Sequence, residues 1–113
     1  MKKRNIVKSK ELFNNIINIG NRVSNKYYVI CYQKKDDENN NYGFAVGTKM
    51  GNAVRRNKIK RQIKAIVDNN IDLFPKYYDY IIISKKELLS LKYSNMEEEL
   101  VKIIKEIKWK ISF

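Results

Sequence analysis

The chain has 113 residues, 43% of them apolar, which is enough for one core, so we expect residues 1–113 to form a single domain. Lys and Arg number 24 against 12 Asp and Glu, and the formal net charge of +12 indicates a polyanionic partner, either nucleic acid or an anionic membrane surface. The chain has no His and one Cys, which excludes triad hydrolases, His zinc sites and internal disulfides and favours a reducing cytoplasm.

The chain begins with a basic arm over residues 1–8, which contains no acid and no helical or strand period. Ser9 predicts the N-cap of a first helix over residues 10–19. We expect Gly20 to end this helix in the left-handed conformation. The helix repeats apolar residues at i, i+1, i+4 and i+5, which predicts one buried face: Leu12, Phe13, Ile16 and Ile17.

Strand-forming residues dominate the next part of the chain. We expect a short extended piece at 21–25, an aromatic and β-branched strand at 27–32 and, after an Asn-rich loop, another strand at 42–48. The two longer strands are expected to pair antiparallel. Gly43 and Gly47 indicate close backbone approach or a bulge in the last of these strands.

The aromatic strand has two different faces. Side-chain alternation puts Tyr28 and Tyr32 on one face and Tyr27 and Cys31 on the other, and we expect only one face to join the core. Phe13 together with Tyr27, Tyr28 and Tyr32 would offer a surface on which unpaired bases stack. Core packing is the alternative for each aromatic residue taken singly, and Cys31 is expected to be a small buried hydrophobe.

A basic helix follows the strand predicted at 42–48. Gly51-Asn52 forms a turn and helix start, and a largely helical period extends to about Asn69. The apolar positions that keep this period are Val54, Ile59, Ile63, Ile66 and Val67. The opposite side of the helix is polar and mostly cationic: Asn57, Lys58, Lys60, Arg61 and Lys64.

The chemistry of the segment 49–64 points to phosphate, because it holds seven basic residues and no acid. A solvated helix face is the alternative, but such faces normally mix charges, whereas Arg56, Lys60 and Lys64 repel at i, i+4 spacing. Three of the five arginines of the chain also fall within seven positions here. Since a guanidinium grips phosphate with two donors, this cationic ridge is predicted to bind nucleic acid.

The last third of the chain predicts one more strand and one more helix. Residues 79–84 are apolar on both faces, which indicates a central strand. Ser94 and Glu97 have the spacing of a capping box before a helix whose apolar stripe is Leu100, Ile103, Ile104, Ile107 and Ile111. The order of elements predicts an α+β sandwich with helices packed on one sheet.

The carboxylates do not form a catalytic pattern. The residues Asp36, Asp37 and Glu38 fall in a predicted loop, and Glu97, Glu98 and Glu99 open a helix, where the helix dipole favours them. Neither cluster resembles a catalytic pair or a metal cage. We therefore expect the protein itself not to cleave bonds and to have no catalytic residues and no metal or other cofactor of its own.

The sequence Gly51-Asn52-Ala53-Val54-Arg55-Arg56-Asn57-Lys58-Ile59-Lys60-Arg61 resembles the signature helix of the protein subunit of bacterial ribonuclease P. The similarity extends to Lys2-Lys3-Arg4-Asn5, to the helix with Phe13 that ends at Gly20, and to Asp79-Tyr80-Ile81-Ile82-Ile83, and so covers nearly the whole chain. The resemblance implies an α-β-β-β-α-β-α sandwich similar to a ribosomal-protein fold. Its four-stranded mixed sheet would contain a left-handed β-α-β crossover, against the general preference for right-handed ones.

The resemblance also implies the function and the sites. Proteins of this family assist a catalytic RNA, which requires Mg²⁺, in removing the 5′ leader from precursor tRNA. The implied residues for binding the catalytic RNA are Lys49, Asn52, Arg55, Arg56, Asn57, Lys58, Lys60, Arg61 and Lys64. The implied cleft for the single-stranded leader is lined by Phe13, Ile17, Lys26 and Tyr28. The chain departs from the family at Lys58, in place of the last arginine of an Arg-Asn-Arg triplet, and at Cys31, a cleft position often aromatic in relatives.

The expected assembly is a cytoplasmic 1:1 ribonucleoprotein of this chain with the catalytic RNA, acting on precursor tRNA. One alternative is a ribosomal or general single-stranded RNA-binding protein without a role in tRNA processing. A second is a basic amphipathic binder of anionic membrane surfaces, for which the last helix has an apolar stripe. The arginine-rich helix argues against the membrane alternative. The purely apolar runs, of about four residues, are also far shorter than the roughly 20 residues of a membrane helix.

Overall fold

The computed structural model describes residues 5–111, so Lys2, Lys3 and Arg4 of the predicted arm lie outside the described residues. The elements follow the predicted order α-β-β-β-α-β-α. They are α1 (Lys10–Ile19), β1 (Asn21–Ser24), β2 (Tyr28–Lys34), β3 (Asn41–Val46), α2 (Ala53–Asn69), β4 (Tyr78–Ser84) and α3 (Tyr93–Ile111). Short 3-10 turns at Thr48–Met50, Ile71–Leu73 and Lys86–Ser90 lie between these elements.

The sheet has four strands in the order β1-β2-β4-β3. The central position predicted for β4 is confirmed, since it pairs antiparallel with β2 and parallel with β3. The predicted antiparallel pairing of β2 with β3 is wrong, because β4 lies between them. A strand that is apolar on both faces buries the most apolar surface where other strands flank both of its edges and helices cover both of its faces. The chain therefore leaves the sheet after β3, forms α2 and returns as β4.

Both faces of the sheet are buried, under different helices. The larger core lies between the sheet and α2 and α3, and it contains Tyr28, Ile30 and Tyr32. The smaller one lies under α1, where Ile16 packs with Cys31. The expectation that only one face of β2 joins the core is therefore wrong, because α1 covers the second face. Cys31 is buried and has a free thiol, as expected.

The start of α1 is confirmed and its end differs from the prediction. Ser9 Oγ accepts a hydrogen bond of 3.1 Å from the Leu12 amide, the arrangement of an N-cap. Gly20 is extended, with φ −69° and ψ 166°, and not left-handed. A Cβ at this position would lie 2.4 Å from the Ile16 carbonyl oxygen and 3.0 Å from that of Tyr32. Glycine is therefore needed at position 20 for close backbone approach.

The two later helices begin differently. Asn52 caps α2 as predicted, since its side chain accepts a 2.9 Å hydrogen bond from the Arg55 amide. The capping box predicted for α3 is wrong. The Lys92 carbonyl accepts from the amides of Asn95 and Met96, and the Ser94 hydroxyl contacts the Asn95 side chain instead. The first residue of α3 is Tyr93, so the helix already includes Ser94.

The end of the predicted basic arm is attached to the sheet. Ile6 forms a parallel bridge with Tyr42, and the Val7 amide donates a 2.9 Å hydrogen bond to the Tyr42 carbonyl. Val7 is buried in the core under α1. Ile6 and Val7 therefore extend the sheet edge at β3. Across residues 5–111, no helix is both long and apolar enough to cross a membrane.

Candidate nucleic-acid interface

The predicted cationic ridge exists and lies along α2. Ile59, Ile63 and Ile66 are buried against the sheet and α3, together with Val67. This fixes the rotation of the helix and turns the polar side outward. The predicted RNA-binding residues Lys49, Asn52, Arg55, Asn57, Lys58 and Arg61 are exposed, and Arg56, Lys60 and Lys64 are half-buried. We call these nine residues the α2 ridge.

Within the part of the chain that the structure describes, no cation of the α2 ridge forms an ion pair within 4.0 Å of an acid. Among residues 5–111, ion pairs within 4.0 Å join Lys35 to Asp79, Lys102 to Glu98 and Glu99, and Lys110 to Glu106. None of these pairs involves the ridge. Like charges one helical turn apart repel, and the repulsion is relieved when an external anion binds.

Three side chains on or beside the α2 ridge have distinct surroundings. Arg56 Nε is buried and has no hydrogen-bond partner within the described part of the chain. Lys64 Nζ lies 5.8 Å from the centroid of the Phe44 ring, so its charge is held over an aromatic side chain of β3. Val54 is 79% exposed and does not belong to the core, because it lies on the outward side of the first turn. The exposed Val54 side chain is therefore an apolar group beside the α2 ridge.

A second surface lies around α1, on the other face of the sheet. Arg22, Cys31, Ile81 and Gly43 form one row across the four strands. Atoms of the Phe13 ring lie so close to Gly43 that a Cβ there would be 2.8 Å from Phe13 Cε2. The half-buried side chains packed on this core include Phe13, Ile17, Val29 and Ile83. We call these four residues and Arg22 the α1 surface.

Two of the predicted leader-cleft residues lie elsewhere. Tyr28 is fully buried on the opposite face, in the core with α2 and α3, where its hydroxyl donates a 3.0 Å hydrogen bond to the Met96 carbonyl. Its placement with Phe13 and Ile17 is therefore wrong, because alternation along β2 turns Tyr28 away from α1. Lys26 is exposed in the β1–β2 turn, with Nζ 5.8 Å from the Tyr27 ring centroid. Tyr27 also packs against the core of α2 and α3.

The structure adds residues that the sequence analysis missed. Arg22 Nη2 donates a 2.7 Å hydrogen bond to the Ile17 carbonyl, and Arg22 is the β1 neighbour of Cys31. Burial raises the pKa of the Cys31 thiol, and the charge and hydrogen bond of Arg22 partly oppose this rise. Val29 and Ile83 are cross-strand partners beside this pair. Val23 is buried, and its neighbour Arg22 points to the opposite face of the strand. This alternation was the sequence signal that could have placed Arg22 on the α1 face.

The arrangement can bind and position an anion. No group of three or more Cys, Asp or Glu side chains within residues 5–111 could hold a metal ion. The ridge supplies guanidinium and ammonium donors on a rigid helix, which suits a phosphate backbone. The α1 surface supplies half-buried apolar groups and one guanidinium, which suits unpaired bases and their phosphates.

Comparisons with known proteins match most of the chain to one family. The model of the Ribonuclease P family matches residues 1–108. The ribonuclease P protein component of Mycoplasma mycoides is 41% identical over 109 residues, covering 96% of this chain and 100% of the relative. The solved structure of the Thermotoga maritima RNase P protein has a TM-score of 0.81 at 28% identity, covering 89% of this chain and 96% of that one. The Staphylococcus aureus RNase P protein gives a TM-score of 0.83 at 26% identity, covering 92% and 95%.

Proposed function

The chain belongs to the ribonuclease P protein family. From this premise we propose that its two surfaces bind different RNA molecules of the holoenzyme complex. Its function is that of the protein subunit in the maturation of tRNA 5′ ends. The enzyme is the holoenzyme, in which this chain is an accessory subunit.

The α2 ridge faces the catalytic RNA in this proposal. The observation that carries it is the absence of any ion pair between the ridge and the described acids of the fold. Seven cations on one helix and its preceding turn would otherwise destabilise the protein by mutual repulsion. Phosphates of a folded RNA would remove that repulsion and release counterions.

The α1 surface holds the single-stranded leader of precursor tRNA. This assignment is supported by the half-buried Phe13 and Ile17, which can stack or pack against bases, and by Arg22 beside them. The surface lies on the sheet face opposite α2. One protein molecule would therefore contact the catalytic RNA and the leader at the same time, as a 1:1 ribonucleoprotein.

Bond cleavage in this proposal belongs to the RNA subunit and its Mg²⁺. The protein neutralises phosphates where two RNA molecules meet, so fewer magnesium ions are needed to hold the complex together. Its site of action would be the cytoplasm. In this proposal the protein only binds and positions RNA, and the two surfaces are suited to both tasks.

Reconstitution tests the proposal. The catalytic RNA, precursor tRNA and the purified chain are mixed at low Mg²⁺, and 5′ leader release is measured. We expect the chain to stimulate leader release, and the double variant R56A/R61A to stimulate it much less at equal protein concentration. The variant K105A serves as the control, because Lys105 is an exposed α3 residue outside both surfaces. Equal rates with and without the chain would contradict the proposal.

A further inference from the structure

A cavity of about 230 Å³ lies where the first half of α2 meets the start of α3 and the 3-10 turn at Lys86–Ser90. Its volume is below the roughly 300–1,000 Å³ of pockets for drug-sized ligands, which suits a single aromatic ring system. The buried side chains that line it are apolar: Ile59, Leu88 and Met96. The established role of the subunit does not assign a ligand to it.

The rim of this cavity has a different chemistry from its apolar lining. Arg55 and Lys58 are exposed lining residues from α2, and Tyr93, which is 41% exposed, lines it from the first turn of α3. Within residues 5–111, no acidic residue lines the cavity. The positive end of the α3 dipole is on the same side, since Tyr93 is the first residue of that helix. An occupant should therefore combine a flat apolar ring with negative charge.

The position of Arg55 is set by its neighbours. Gly51 has φ 121°, and a Cβ there would lie 2.7 Å from Arg55 Cδ, so the arginine side chain passes over the glycine. The Arg55 amide is tied to Asn52 by the N-cap. The Arg55 side chain thus packs on the turn before α2, beside the cavity.

We propose that this cavity receives the base of one unpaired nucleotide of the catalytic RNA, stacked against Tyr93, with its phosphate held by Arg55 and Lys58. The proposal rests on the proposed function of the α2 ridge, of which Arg55 and Lys58 are members. The cavity continues the ridge on the sheet face away from the α1 surface. The catalytic RNA and not the tRNA leader is therefore the source of the nucleotide.

Photo-crosslinking tests which nucleotide is bound. The photoreactive amino acid p-benzoylphenylalanine is placed at Tyr93, the protein is bound to the catalytic RNA with precursor tRNA present, and the crosslink is mapped by primer extension. We expect one dominant crosslink, at an unpaired nucleotide of the catalytic RNA. The same amino acid at Lys105, on the exposed side of α3, is the control and should give no such band. A crosslink to precursor tRNA, or none, would overturn the proposal.

Binding measurements separate stacking from charge. The variant Y93A should bind the catalytic RNA about ten-fold more weakly, the effect of roughly 1.4 kcal/mol, with an unchanged dependence of log affinity on log salt. The variant Y93F should bind within about two-fold of the parent chain, because it keeps the ring. In contrast, R55A should make the salt dependence shallower by about one unit.

The outcomes distinguish this proposal from the proposed function. If Y93A binds like the parent chain while R55A shows the shallower slope, the base pocket is refuted and the α2 ridge stands. If the parent chain itself fails to bind the catalytic RNA, both are refuted. Because Tyr93 is 41% exposed, its replacement should leave the thermal unfolding of the free protein unchanged, which is checked in parallel.

Discussion

At the scale of single residues, close packing of the Phe13 ring explains why β3 has a glycine at position 43. Gly43 lies in the sheet row under α1, and Phe13 lies directly over it. The absence of a side chain at Gly43 lets the ring approach the backbone, and the same ring remains partly open to solvent. One residue pair therefore joins the packing of α1 to the surface proposed for the leader.

Replacing Gly43 tests this packing. A Cβ at this position would lie 2.6 Å from Ile81 Cδ1 and 2.8 Å from Phe13 Cε2, so G43A should lower the free energy of unfolding by about 1–3 kcal/mol. Gly47 is the matched control. It has φ −70°, and a Cβ there would meet no atom within 4 Å, so G47A should be neutral or stabilising by about 0.4–1 kcal/mol. Urea denaturation of both variants checks the pair, and equal stabilities would contradict the packing argument.

Replacing Phe13 tests its proposed role with the leader. Loss of one stacked base costs about 1–3 kcal/mol, so F13A should weaken holoenzyme binding of precursor tRNA by at least about five-fold. Binding of mature tRNA, which has no leader, should change little. The variant L12A removes another half-buried side chain of α1 and controls for any loss of helix packing. Equal losses for both tRNAs in F13A would contradict the leader assignment.

At the scale of elements, α2 shows how one helix combines a structural face and a binding face. The positions of Ile59, Ile63 and Ile66 anchor it, and the rotation that buries them exposes Asn57, Lys58 and Arg61. This division follows from the 3.6-residue period alone. Both the helix and the surface it presents were therefore predictable from local sequence.

The charge of this element should control how binding responds to salt. If about six phosphates are neutralised, log affinity for the catalytic RNA should fall against log salt with a slope of roughly −4 to −5. The variant R61A should make this slope shallower by about one unit, whereas R61K should keep the slope and lose only the part of the affinity that depends on the guanidinium fork. Filter binding over a range of salt concentrations measures both quantities.

The control for this experiment is K105A, which removes one exposed cation from α3. Its slope should match that of the parent chain. A slope of about −1 for the parent chain, or identical slopes for R61A and K105A, would show that the α2 ridge is not where the RNA phosphates are neutralised.

At the scale of the whole molecule, the core between the sheet, α2 and α3 is rich in tyrosine. The rings of Tyr42 and Tyr80 are stacked with centroids 5.6 Å apart, and Phe74 meets both edge-on. The hydroxyl of Tyr80 donates a 2.6 Å hydrogen bond to the Pro75 carbonyl. Burial raises the pKa of Tyr42 to about 12 and also raises the pKa values of Tyr28 and Tyr80.

These shifts predict unfolding in alkali. The folded state favours the neutral phenols, so the stabilisation is complete below the unfolded pKa of about 10 and is lost as the pH rises through the folded values. We expect cooperative loss of helical circular dichroism above about pH 10, together with a step in tyrosinate absorbance. The variant Y80F cannot ionise at this position and should unfold at higher pH than the parent chain. Gradual, non-cooperative titration of all tyrosines in a chain that stays folded would contradict this prediction.

The sequence alone determined the features that depend on local spacing. Helix α1 has the predicted bounds, α2 starts and ends where its cap and period place it, and the cationic side of α2 faces away from the core. Caps and periodicity involve residues within one or two turns, so a single stretch of sequence contains the whole signal.

Only the tertiary structure decided how the strands are ordered and which helix covers each face. The insertion of β4 between β2 and β3, the burial of both faces of β2, and the placement of Tyr28 away from Phe13 all depend on contacts between distant residues. The alternation of side chains along a strand predicts that two neighbouring residues lie on opposite faces, but it does not predict which helix covers either face. That choice is made by the best joint burial of all apolar faces, which is a property of the assembled chain.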